Sequence, residues 1–158
     1  MVDGTSNIIF RDRPKTCAGD MRIAWRLALI LLALHYSRGQ KASFAKLHVL
    51  NDALRSKTSQ EKLERILSNT LPMISWRLRV EPAFTRALDF LVGEGLAEWS
   101  VASKRTILQL TSKGLEAAKE VVSEDDIFVD ERQFLNGAAK GVTETFVQRL
   151  LMTGKQLL

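Results

Sequence analysis

What this chain lacks narrows it first. With a single cysteine, Cys17, in 158 residues it cannot form an internal disulfide, and two histidines supply no Cys/His cluster for structural zinc. That usage points to a reducing compartment, and the cytoplasm is the expected location. No apolar run is long enough to span a bilayer, which requires about 20 residues. The longest candidate, Leu27 to Leu34, is short and preceded by Arg22 and Arg26. His35-Tyr36-Ser37 after it offers no small-residue cleavage site, so it reads as a buried central helix and neither membrane insertion nor secretion is expected.

Catalytic signatures are missing as well. There is no nucleotide-binding glycine loop, zinc-protease helix, nucleophile elbow or cysteine–histidine pair at useful spacing. His35 and His48 fall at the end of one expected helix and inside the next, without carboxylate support for a site. The expectation is a protein that is not an enzyme and needs no cofactor or metal.

What is present describes a globular chain: 46% hydrophobic and 26% charged residues, enough length for a core, and a formal charge of +5. The charge is unevenly placed. Arg11, Arg13, Lys15, Arg22, Arg26, Arg38, Lys41 and Lys46 outnumber Asp3, Asp12 and Asp20, whereas Glu124, Asp125, Asp126, Asp130 and Glu131 crowd the segment 123–131. Such runs are ordinarily solvated surface and linker; a basic face for an acidic partner is the functional alternative.

Periodicity divides the chain into an N-terminal arm (1–20), a helical hairpin with a following module (21–122), an acidic linker (123–130) and a C-terminal helix (131–158). The arm contains Ile8-Ile9-Phe10 as a short strand or docking element. Met21 to Ser37 and Phe44 to Arg55, the latter capped by Ser43, form the hairpin. Thr58-Ser-Gln-Glu61 reads as a capping box opening a third helix. Strict alternation over Ile74 to Val80 predicts a strand, with a helix as its competitor.

From Pro82 the pattern is clearest. Proline at the first helical position opens a helix whose Phe84, Ala87, Leu88 and Leu91 face inward, and Gly93 and Gly95 end it. Leu96 to Val101 and Arg105 to Leu110 then form a hairpin, and Thr111 caps another helix striped by Leu115, Ala118 and Val122. Helix, hairpin, helix is the order of a winged helix. The predicted class is therefore α+β, mostly helical: a winged helix-turn-helix with an N-terminal helical hairpin and a C-terminal amphipathic helix, the strand at 74–80 completing its sheet.

A helix that reads DNA surrounds itself with cations for phosphates. Here the exposed side offers Arg86 opposed by Asp89 and Glu94, with Arg77, Arg79, Lys104 and Arg105 as flanking phosphate contacts. That supply suits weak, salt-sensitive duplex binding, while Phe90 and Val92 suit a protein contact. In the last helix, capped by Asp130, Phe134, Ala138, Val142, Phe146 and Leu150 recur every four residues. This stripe either packs back on its own domain or meets another subunit, and Gly137 and Gly141 would permit close backbone approach.

The segments Arg22 to Leu34, Ala42 to Arg55 and Trp76 to Lys119, about two thirds of the chain, resemble the middle component of ABC-three-component antiphage systems, the group that includes Lamassu. The resemblance implies a non-catalytic subunit that binds an ATPase of the structural-maintenance-of-chromosomes (SMC) type and couples DNA sensing to an effector, often a nuclease. In that setting the winged helix and terminal helix would dock on ATPase or effector, with Arg77, Arg79, Lys104 and Arg105 along double-stranded DNA. The alternative is a homodimeric winged-helix transcriptional regulator paired through its first and last helices.

Overall fold

The computed structural model describes residues 19–79 and 81–155. Ile8-Ile9-Phe10, Cys17 and the basic residues Arg11, Arg13 and Lys15 lie outside them. Helix α1 (Gly19–Tyr36) is the axis, as its nearly all-round apolar sequence requires: Leu29 to Leu34 are all buried, and α2, α4, α5 and α6 pack around it. Strand β1 (Lys41–Ser43) leads into α2 (Phe44–Ala53), where the Ser43 hydroxyl accepts from the Lys46 N–H at 3.0 Å. Then come α3 (Lys57–Leu67), α4 (Pro82–Gly93), β2 (Ala97–Ala102), β3 (Arg105–Leu110) and α5 (Ser112–Ser123). Thr111 caps α5 through the Gly114 N–H. Helices α6 (Val129–Ala138) and α7 (Glu144–Lys155) close the described chain.

The architecture is α+β and mostly helical, with one three-stranded antiparallel sheet among the described residues, in the order β1-β3-β2. Leu108 is the central rung, paired with Ala42 on one side and Trp99 on the other. The hairpin turns at Ser103 and Lys104, both with positive φ as a two-residue primed turn demands. This element order is compatible with a winged helix.

Several expectations are corrected. The expected strand over 74–80 is absent from its described residues, 74–79: after Pro72 a single 3-10 turn, Met73–Ser75, precedes irregular chain, and the place beside β3 belongs to β1. The alternation records one-sided burial only in part, since Trp76 is buried while Ile74 is exposed. Ser56, not Thr58, caps α3, accepting from the Ser59 N–H at 3.1 Å. The final helix is two. It breaks after Ala138, and Thr143 restarts it by accepting from the Phe146 N–H, so α6 and α7 both fold back on the core. Phe128 in a left-handed conformation, not Asp130, precedes α6. A side chain added at Gly137 would meet nothing, whereas one at Gly141 would stand 3.4 Å from the Ala138 carbonyl oxygen and 4.0 Å from Leu67.

Candidate functional site

The entrance to α4 is fixed by a polar knot. Glu81, just before Pro82, takes both guanidinium nitrogens of Arg26 at 2.8 and 2.5 Å, and Asn51 bonds both partners at 3.0 and 3.2 Å. One ion pair thus ties α1, α2 and α4 at the point where a reading helix would begin. Phe84, Ala87, Leu88 and Leu91 face inward as expected, and the outer face carries Thr85, Arg86, Asp89 and Phe90. Arg86 and Asp89 offset each other, and Phe90 is 48% exposed. The face is close to neutral and partly apolar.

Beside it lies an aromatic ridge. Trp99 shares its rung with buried Leu108, but Trp99 and Val101 stand 37% and 77% exposed on the hairpin. Phe44, at the first turn of α2, is 40% exposed and sits 6.4 Å from Trp99 and 6.0 Å from Phe84 between ring centres. His48 lies beneath, edge-on to Phe84 at 5.1 Å. Its Nδ1 has no partner among the described residues, and burial lowers its pKa against the opposing pull of Asp52 and Glu81. His35 packs edge-on to Tyr36. The two histidines sit in separate aromatic contacts.

No protein-family model, curated protein or solved structure matches this chain. The geometry therefore carries the functional reading. Among the described residues, no group of three or more His, Cys, Asp or Glu side chains could hold a metal ion, and no helix is long and apolar enough to cross a membrane.

The five expected nucleic-acid contacts divide between a cleft and the α4–hairpin region. Arg77 and Arg79 line an open cleft of about 460 Å³ together with Arg55 and Lys62. Arg86, Lys104 and Arg105 are absent from it; Lys104 is at the exposed hairpin turn, and Arg105 reaches Gln148 of α7 at 3.4 Å. Sequence reasoning missed Arg55 and Lys62 because they flank the α2–α3 turn, far along the chain from Arg77. The signal available was Ser56 as a cap between two cations.

The expected partner-binding stripe is also corrected: Phe134, Ala138, Val142, Phe146 and Leu150 are all buried in the chain's own core. The break between α6 and α7 delivers both halves inward and leaves the stripe no face for a partner. Nor is the acidic linker a free tether. Arg132 donates to the Val122 and Asp125 carbonyls at 2.8 and 3.0 Å, and Phe128 lies 6.2 Å from Trp25.

Proposed function

We propose that this chain is a non-enzymatic winged-helix accessory subunit that docks on a partner protein through α4 and its hairpin wing. The observation that carries this is the exposed ridge of Phe44, Trp99 and Val101 beside a nearly neutral α4. Aromatic anchors flanked by a face without net charge suit a protein interface, whereas a groove reader concentrates Lys and Arg. The order β1-β3-β2, with α4 leading into the β2–β3 hairpin, supports the winged-helix assignment. The sequence resemblance names the partner: an SMC-type ATPase with its effector nuclease in an antiphage complex. Duplex DNA is a subsidiary contact, made by Arg86, Lys104 and Arg105.

The homodimeric regulator draws no support from the last helix, whose apolar stripe lies inside the fold. Affinity purification from the native host at low salt tests the reading. It should recover a large coiled-coil ATPase, and Trp99→Asp should abolish recovery while leaving the circular dichroism unchanged. A lone homodimer holding one DNA fragment would overturn it.

A further inference from the structure

The open cleft between the α2–α3 turn and residues 75–79 is lined by four cations, Arg55, Lys62, Arg77 and Arg79. Among the described residues Lys62, Arg77 and Arg79 form no ion pair; Arg55 alone does, with Asp52 at 3.5 Å. Asp52 is the one carboxylate in the lining, and it is already engaged by Arg55. Arg55, Arg77 and Arg79 are exposed and Lys62 half-buried, so the lining carries an excess of positive charge open to an anion from solvent.

Two hydroxyls and a helix end share the lining of the cleft. Ser56 and Ser59 line it, and Ser56 caps α3, so the positive end of an 11-residue helix opens there. Trp76 forms part of the wall, is only 6% exposed, and its indole N–H has no acceptor among the described residues. That nitrogen is itself buried, so it reports on the wall of the cleft and is not a contact for an anion within it. A cleft of about 460 Å³ lies within the range of small-ligand sites. Guanidinium forks, hydroxyls and a helix N-terminus are the donor set that recognises phosphate, and a phosphate monoester carries about −1.5 to −2 charge at neutral pH.

We propose that this cleft is a binding site for a phosphate ester, carried by a free nucleotide or by the 5′-phosphorylated end of a DNA strand. None of its residues lies on α4 or the wing, so it stands independently of the protein-docking function. The full chain would be titrated at constant ionic strength with inorganic phosphate, deoxyadenosine monophosphate, and a short DNA strand with and without its 5′-phosphate. Two-dimensional NMR would follow the Trp76 indole N–H resonance.

Saturable movement of that resonance by the mononucleotide or by the 5′-phosphorylated strand is expected, and the tighter of the two identifies the source. Lys62→Gln and Arg77→Gln should each weaken binding by about tenfold or more, as loss of a charge-assisted hydrogen bond implies. Lys62→Arg should restore it, and exposed Lys140→Gln should leave it unchanged. Absence of saturable binding by any phosphate-bearing probe, or binding that Lys62→Gln and Arg77→Gln leave intact, would overturn the site. Equal binding of the strand without its 5′-phosphate would overturn it too.

Discussion

Arg26 in α1 grips Glu81, 55 residues later, through both guanidinium nitrogens, and Asn51 closes the triangle. Their side chains are 16% and 22% exposed, so water screens the pair only partly. Removing either partner would leave a desolvated charge at the start of α4. Glu81→Gln and Arg26→Gln should each lower unfolding stability by about 2 kcal/mol. A double-mutant cycle read from urea midpoints should show about 1 kcal/mol or more of coupling; strictly additive losses would mean the contact contributes nothing.

Gly114 is a point where the fold tolerates no side chain. A methyl group there would stand 1.8 Å from the Leu96 carbonyl oxygen, which already accepts from the Thr111 N–H. The obstacle is the backbone carbonyl of Leu96, so it cannot swing aside. Gly114→Ala should cost about 3 kcal/mol or more. Gly137→Ala, in the exposed last turn of α6 with open space around it, should instead raise stability by up to about 0.5–1 kcal/mol. Thermal melts of the two variants should move in opposite directions.

Glu144 joins the far end of the chain to the cap of α2. Its carboxylate accepts from the Ser43 N–H at 3.1 Å and from the Ser43 hydroxyl at 2.5 Å, while the same hydroxyl accepts from Lys46. Lys46 is buried, which lowers its pKa, and the Glu144 charge opposes that shift. Glu144→Ala should therefore destabilise by about 1.5–3 kcal/mol, the range for hydrogen bonds to charged groups. Hydrogen exchange of the α2 and α7 amides should accelerate together; acceleration of α7 alone would show that the link is local.

Acid should loosen this protein through His48. Burial holds its folded-state pKa below the ordinary 6.5, so the unfolded chain takes up the proton first. Stability contributed by neutral His48 is present above 6.5 and is lost as pH falls from there through the lower folded value. His35, shifted the same way, adds to the loss. Asp52 works in the opposite sense: burial raises its pKa, so its protonation on further acidification favours the folded state. Melting temperature should fall between pH 7 and 5, and His48→Gln should flatten that slope; an unchanged slope would remove His48 as its source.

Legibility followed how local the cause was. Pro82 at the first turn of α4, Ser43 and Thr111 as caps, and the alternation of the β2–β3 hairpin all act within a few residues, and each appears where the pattern placed it. The failures arose where distant chain decided. Residues 74–80 alternate like a strand, yet β1 occupies the edge of β3, a competition that no local pattern reveals. The stripe from Phe134 to Leu150 keeps its four-residue spacing across a break, so periodicity alone draws one helix where Thr143 begins a second. Arg55 and Lys62 reach the cleft only because the chain returns to them at Arg77 and Arg79.

The bond between Ser43 and Glu144 spans 101 residues, and β1 finds its partner only when Ile107 to Gln109 arrive. During synthesis, therefore, β1 and the cap of α2 wait for β3 and α7 before their bonds can close. Closing such long loops slows folding. Helices α1 and α2 therefore reach their final packing only once β3 and α7 have been made.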